Sequence, residues 1–155
     1  MNNSEYIERA EQVLLHTYNR FPVVLEKGRG VWLEDVEGKK YLDFGAGIAV
    51  CGLGYGNPEL SDVLKKQVDL LLHTSNLYYH TTCGQAAEAL RAMTGMERVF
   101  FTNSGTEAIE GCLKAARKYA WKKGTGRYEF IAMEHSFHGR SMGAGSVTGN
   151  EHYRT

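Results

Sequence analysis

Two short polar segments contain the residues best suited to chemistry. The first, residues 102–107 (TNSGTE), joins an apolar run to a helical pattern through a small turn. Such a turn leaves backbone N–H groups unpaired at the positive end of a helix dipole, which favours a bound phosphate. Ser104 and Glu107 also match the S-x-x-E capping box, a common way to begin a helix. The local pattern leaves both interpretations open.

The second segment, residues 134–142 (EHSFHGRSM), follows an apolar run at 128–133. The ring of Phe137 is able to stack on a planar group, and Arg140 is able to hold a carboxylate through two parallel hydrogen bonds. The alternatives are a core phenylalanine and a solvated or salt-bridged arginine. Ligands of open α/β sheets bind outside the carboxyl ends of the strands, so both segments are predicted to face one cleft.

The elements around these segments predict a βαβ unit and a parallel sheet. Strands are expected at 98–103 and 128–133, with a helix from about Thr106 to Lys123 between them. Upstream, Asn57 and Pro58 open one helix, and Gly95 ends another. The apolar positions of the helix that opens at Pro58 are predicted to face a core, namely Leu60, Val63, Leu64, Val68 and Leu71.

The first third of the chain has different patterns. Ser4 is predicted to cap a helix that runs to about Asn19. Short β-rich runs between residues 23 and 44 predict a small antiparallel meander. Residues 45–56 are too rich in glycine for a regular helix or strand, and they predict a loop that another group approaches closely.

Bulk composition excludes several classes of protein. The 155 residues, 43% of them hydrophobic, are enough to bury one ordinary core. Eighteen basic residues balance eighteen acidic ones, which indicates neither a nucleic acid nor a membrane partner. The start of the chain does not resemble a signal peptide, so a cytoplasmic location is expected. Three cysteines and six histidines without metal-ligand spacing predict neither a disulfide framework nor a metal site.

Three stretches resemble class III aminotransferases, in the family's order and approximate spacing: GVWLEDVEGKKYLDFGAGIAV, FTNSGTEAIEGCLKAARKY and EHSFHGRSMGAGSVTGN. The resemblance implies an α/β fold, the N-terminal part of the pyridoxal-phosphate aminotransferase (fold type I) architecture. This part comprises an incomplete, mainly parallel sheet with flanking helices, plus a small N-terminal helix and β-meander. Residues 1–50 would belong to the small domain and 51–155 to the first part of the large cofactor-binding domain.

The same resemblance assigns roles to residues of both polar segments. It implies that the backbone N–H groups of Gly105 and Thr106 bind the phosphate of pyridoxal 5'-phosphate, and that Ser104 shapes this turn. Phe137 would stack on the pyridine ring of the cofactor. Arg140 would bind the α-carboxylate of the amino acid or oxo acid substrate. The complete enzyme would be a homodimer.

The resemblance also implies what this chain does not contain. The family's catalytic lysine, which bonds to the cofactor, is expected beyond Thr155, so no catalytic residue is predicted here. Strands from that missing part would separate 98–103 from 128–133. The lysines of the long helix are interpreted as a solvated face: Lys114, Lys118, Lys122 and Lys123.

The implied activity is amino transfer from N-acetylornithine to 2-oxoglutarate in arginine biosynthesis, by a longer enzyme. One alternative is another ω-amino acid transaminase, acting on ornithine, succinylornithine or 4-aminobutyrate. Two others are a truncated, non-catalytic product and a small phosphate-binding module.

Overall fold

The structure is a computed structural model that describes residues 1–150 and 153. Contacts divide the chain into two compact units, Met1–Leu77 and Tyr78–Thr155. Among the described residues, the first unit contains the three strands of a small sheet. The regular elements of the second unit are helices.

The first helix, α1, spans Asn3–Glu11 and starts from a capping box. The Asn2 side chain accepts a hydrogen bond from Glu5 N at 2.9 Å, and the Glu5 carboxylate accepts one from Asn2 N at 3.0 Å. The prediction of a Ser4 cap and of an end near Asn19 is therefore wrong. Asn2 has the acidic partner three residues ahead that a reciprocal cap requires. Beyond the helix, Val13 and Leu15 are more than 80% exposed, so they form no apolar contact that would extend it.

Three short strands form the predicted meander. They are β1 (Leu25–Arg29), β2 (Trp32–Asp35) and β3 (Lys40–Leu42), paired antiparallel in the order β1-β2-β3. Gly28 lies opposite Leu33, and Trp32 lies opposite Leu42. The meander confirms the prediction for residues 23–44.

The glycine-rich loop is attached to this meander by Tyr55. The backbones of Gly30 and Tyr55 exchange two hydrogen bonds of 2.8 Å each. The Tyr55 hydroxyl donates to Asp43 Oδ2 at 2.6 Å, and Asp43 Oδ1 also accepts from Gly45 N and Ala46 N. One carboxylate therefore connects both ends of the loop.

The described residues form five further α-helices: α2 (Ala46–Ala49), α3 (Pro58–Leu70), α4 (Thr81–Thr94), α5 (Gly105–Lys122) and α6 (Met142–Ser146). Helix α3 begins as predicted, because the Asn57 side chain accepts a hydrogen bond from Leu60 N at 3.0 Å. Helix α4 ends as predicted at Gly95, whose left-handed φ of 71° is accessible to glycine without strain.

The two predicted strands of the second unit, at 98–103 and 128–133, are not strands in the structure. A strand requires a hydrogen-bonded neighbour, and no described segment pairs with either of them. The two segments are not hydrogen-bonded to each other among the described residues, and the expectation that other strands lie between them stays a prediction.

Little of the apolar surface is buried. Two separate compact units of half the mass each would together expose about 9,400 Å², whereas this chain exposes 13862 Å². Ala144 is the one buried apolar residue among those described. The prediction of an ordinary core is therefore wrong, because the apolar faces have no covering layer among these residues. The predicted core positions of α3 and its C-cap are 43% to 63% exposed: Leu60, Val63, Leu64, Val68 and Leu71.

Candidate functional site

The start of α5 combines a helix cap with free backbone donors. Ser104 is the N-cap, and its hydroxyl accepts a hydrogen bond from Glu107 N at 3.2 Å. The Glu107 carboxylate reaches back to Asn103 N at 2.6 Å, not to the N–H of Ser104. The cap at Ser104 is confirmed. The reciprocal hydrogen bond of the capping box comes from the N–H of Asn103, one residue before the N-cap.

The next two N–H groups are available to a ligand. Gly105 and Thr106 are the first two residues of α5, where backbone N–H groups have no partner within the helix. Neither N–H has an acceptor among the described residues. A Cβ placed at Gly105 would meet nothing within 4 Å. These features fit an anion such as a phosphate, held by two N–H groups at the positive end of the helix.

The two polar segments meet at Thr106. Its Oγ1 accepts a hydrogen bond from Arg140 N at 3.2 Å and lies 3.4 Å from Ser141 Oγ. Gly139 is buried against the same side chain, so a Cβ at Gly139 would collide with Thr106. The structure thus brings together residues that lie 34 and 35 positions apart in the sequence.

Glu110 makes a second connection, one turn further along α5. Its Oε1 accepts hydrogen bonds from Ser141 Oγ at 2.5 Å, Gly143 N at 2.8 Å and Ala144 N at 3.0 Å. The Ser141 hydroxyl, followed by the two N–H groups, holds the pKa of the Glu110 carboxyl below its usual value. We call residues 139–144 the Arg140 segment, since α5 holds them through Thr106 and Glu110.

Phe137 and Arg140 are in contact. The guanidinium carbon of Arg140 lies 4.9 Å from the centre of the Phe137 ring and 5.3 Å from that of Tyr153. The rings of Phe137 and Tyr153 meet edge to face, with centroids 5.8 Å apart. Phe137 is 55% exposed, so it is not a core residue here. A cation and an aromatic ring therefore share one exposed surface, and the backbone of the same arginine is bound to Thr106 of α5.

Thr148 fixes the backbone between these two side chains. It is fully buried, and its Oγ1 accepts a hydrogen bond from His138 N at 3.1 Å. The same hydroxyl lies 3.1 Å from the carbonyl of Gly139 and 3.0 Å from that of Ala144, which share its proton. One side chain thereby satisfies polar groups that would otherwise be buried without a partner.

Sequence reasoning missed Glu110 and Thr148. Glu110 lies four residues after Thr106, so both are on the same face of α5, and this spacing is the signal that was available. Thr148 offered only a hydroxyl within a run of small residues, GAGSVTG. That pattern does not reveal which backbone groups the hydroxyl binds.

Three further properties concern metal ligands, membrane-spanning helices and lysine exposure in the described part of the chain. It contains no group of three or more His, Cys, Asp or Glu side chains that could hold a metal ion. No helix in residues 1–150 is long and apolar enough to cross a membrane. The lysines of α5 are exposed, as predicted: Lys114, Lys118, Lys122 and, just after the helix, Lys123.

Comparison with known sequences identifies related proteins. Residues 14–155 match the family described as aminotransferase class-III. An acetylornithine aminotransferase from Archaeoglobus fulgidus is 47% identical over 150 residues, which cover 97% of this chain and 39% of that protein. Another, from Gloeobacter violaceus, is 48% identical over 145 residues, covering 93% and 36%.

Solved structures of aminotransferases also resemble this chain. An ornithine aminotransferase from Toxoplasma gondii matches with a TM-score of 0.90 at 27% identity, covering 99% of this chain and 37% of its own. An acetylornithine aminotransferase from Elizabethkingia anophelis matches with a TM-score of 0.77 at 34% identity, covering 83% and 33%. The chain thus spans less than two fifths of the length of these relatives.

Proposed function

The chain belongs to the class III aminotransferase family and has the fold of the corresponding part of the fold type I enzymes. On this premise we propose that it supplies the phosphate-binding turn and the carboxylate-binding arginine of a longer, pyridoxal-phosphate-dependent aminotransferase. The observation that carries the proposal is the hydrogen bond between Thr106 Oγ1 and Arg140 N. It joins the backbone of Arg140 to Thr106, which carries the second of the two proposed anion-binding N–H groups.

The start of α5 is proposed to anchor the cofactor. The N–H groups of Gly105 and Thr106 donate to its phosphate, and Ser104 holds the turn open by capping Glu107 N. Phe137, whose exposed ring contacts Arg140, packs against the pyridine ring. When bound, pyridoxal phosphate supplies an electron sink for the charge that develops at the substrate Cα.

Arg140 is proposed to bind the substrate α-carboxylate. Its planar guanidinium can donate two parallel hydrogen bonds to a carboxylate, and its contact with Phe137 places it beside the ring that would face the cofactor. Such orientation of two reactants accounts for roughly 7 to 11 kcal/mol of a reaction barrier in favourable cases. The same arginine serves the amino acid and the oxo acid, because both carry the carboxylate.

The amino donor is proposed to be N-acetylornithine and the acceptor 2-oxoglutarate, a reaction of arginine biosynthesis in the cytoplasm. Support comes from the acetylornithine aminotransferases that are 47% and 48% identical to the chain. A second candidate donor is ornithine, since an ornithine aminotransferase matches with a TM-score of 0.90. In the complete homodimer, residues 1–50 belong to the small domain and 51–155 to the cofactor-binding domain.

A panel of donors tests this proposal. The full-length protein encoded by the chain's reading frame is assayed with 2-oxoglutarate and N-acetylornithine, succinylornithine, ornithine or 4-aminobutyrate, and glutamate is measured. We expect the highest kcat/KM with N-acetylornithine. A higher value with ornithine would favour the second candidate, and no turnover of any donor would overturn the assignment. A stop codon directly after Thr155 would favour a non-catalytic product.

A further inference from the structure

We propose that Glu110 is a positioning residue that holds the Arg140 segment on α5 and so fixes the spacing between the phosphate donors and the carboxylate-binding arginine. This inference rests on the proposed function for its effect on catalysis. Its structural part, the restraint of residues 139–144 by Glu110, is independent of any activity.

The geometry around Glu110 is that of a preformed anchor. A single oxygen, Oε1, accepts one hydroxyl and two backbone N–H groups, all within 3.0 Å. Hydrogen bonds to a carboxylate are shorter and roughly twice as strong as bonds between neutral groups. The half-buried position of Glu110 protects them from competition with water.

Helix α6 depends on this anchor because it has no side-chain cap of its own. Its N-cap residue, Ser141, makes no capping hydrogen bond to the helix, and its hydroxyl is bound by Glu110. Glu110 instead accepts from Gly143 N and Ala144 N, the donors that an N-cap side chain normally satisfies. A short helix that includes Gly143 and Gly145 has little intrinsic stability. The hydrogen bonds to Glu110 of α5 therefore fix the position of α6.

Two successive turns of α5 hold the Arg140 segment. Thr106 accepts from Arg140 N, and Glu110, four residues later on the same face, accepts from three donors that follow Arg140. Thr106 also supplies one of the phosphate-binding N–H groups. The rigid turn between Thr106 and Glu110 thus relates the two binding functions by a fixed distance. Misplacement by 1 Å can cost about a hundredfold in rate.

Steady-state kinetics of the full-length enzyme tests the catalytic consequence. We expect Glu110→Ala to raise KM for both N-acetylornithine and 2-oxoglutarate at least about fivefold, with a smaller change in kcat. Glu110→Gln keeps an acceptor oxygen and should stay within about threefold of the wild type. Lys114→Ala, an exposed change one turn along α5, is the matched control and should leave both constants unchanged. Unchanged KM values in Glu110→Ala, or a Gln variant as impaired as the Ala variant, would overturn the proposal.

Amide hydrogen exchange of the cofactor-free protein tests the restraint without activity. Glu110→Ala should speed exchange in the peptide that covers Gly143 and Ala144 at least about tenfold, while Glu110→Gln and Lys114→Ala should not. If Glu110→Ala fails to fold, Ser141→Ala removes one of the three bonds and should give a smaller acceleration in the same peptide. Unchanged exchange in these variants would overturn the proposal even for an active enzyme. Accelerated exchange in a protein without aminotransferase activity would support the restraint and reject the proposed function.

Discussion

The Oγ1 atom of Thr106 accepts a hydrogen bond from the backbone N–H of Arg140 at 3.2 Å. Thr106 is the second residue of α5, and its own N–H has no acceptor among the described residues. The backbone N–H of this threonine therefore belongs to the proposed anion-binding turn, while its side chain holds the Arg140 segment. The proposed cofactor and substrate sites share this residue, and the following predictions depend on that arrangement.

Gly105 is expected to be required for cofactor affinity but not for folding. Nothing lies within 4 Å of a Cβ placed there, so Gly105→Val should leave the fold intact. Its branched side chain would occupy space that the phosphate needs, and cofactor affinity of the full-length enzyme should fall at least about tenfold. Equilibrium dialysis measures this, with Gly105→Ala as the smaller control. Unchanged affinity in the valine variant would remove this turn from the cofactor site.

Replacement of Arg140 even by lysine should impair the reaction of both substrates. In the full-length enzyme, Arg140→Lys keeps the charge but loses the planar pair of donors, so kcat/KM should fall at least about tenfold for both substrates. The fall should be similar for the amino acid and the oxo acid, since both present a carboxylate. Arg127→Lys, an exposed arginine outside both polar segments, is the control. If both substrates react normally with Arg140→Lys, Arg140 does not bind the carboxylate.

Thr148 should stabilise the second unit through its hydroxyl. Thr148→Val has nearly the same shape but leaves His138 N and the Gly139 carbonyl without their partner. Each unsatisfied buried group costs about 1 to 3 kcal/mol. Thr148→Ser keeps the hydroxyl and should cost about 1 kcal/mol for the lost methyl group. Urea unfolding followed by circular dichroism compares the two variants, and a serine variant less stable than the valine variant would contradict this role.

The hydrogen bond between Asp43 and Tyr55 should make the free energy of unfolding depend on pH both in acid and in base. The Tyr55 hydroxyl lowers the pKa of Asp43, while Asp43 raises the pKa of Tyr55 to about 12 from its usual 10.0. The contribution of Asp43 is therefore lost as pH falls through its lowered pKa. That of Tyr55 is complete below pH 10.0 and is lost as pH rises through about 12.

Comparison with Tyr55→Phe isolates this pair. The difference in unfolding free energy between the wild type and the variant should be constant at neutral pH and should shrink in strong acid and above pH 10.0. Ultraviolet titration of tyrosinate should also show one late-ionising tyrosine that the variant lacks. A difference in stability that does not change with pH would exclude this hydrogen bond as its source.

The 155-residue chain expressed alone is expected to have no aminotransferase activity. The lysines of α5 are exposed and lie among other charged side chains, so none is held beside the proposed cofactor site. Incubation with pyridoxal phosphate, borohydride reduction and peptide mapping should therefore show scattered, substoichiometric labelling. One lysine labelled stoichiometrically, together with turnover of N-acetylornithine, would contradict this expectation.

Local signals in the sequence predicted the ends of several elements correctly. Asn57 and Pro58 open α3, Gly95 ends α4, and Ser104 caps α5, because caps depend on residues within one helical turn. The same kind of reasoning failed at α1. There Ser4 was predicted to be the cap, whereas the N-cap is Asn2, which has Glu5 placed to complete the capping box.

The sequence alone thus predicted the starts of α3 and α5, the end of α4 and the meander at residues 23–44, and it indicated the two polar segments that we propose for the chemistry. These features are encoded by neighbouring residues, through capping, glycine placement and periodicity. Tertiary structure decided how Thr106 and Glu110 hold the Arg140 segment, because those hydrogen bonds join residues more than 30 positions apart. It also decided that 98–103 and 128–133 form no strands here, since a strand exists only with a neighbour to accept and donate its hydrogen bonds.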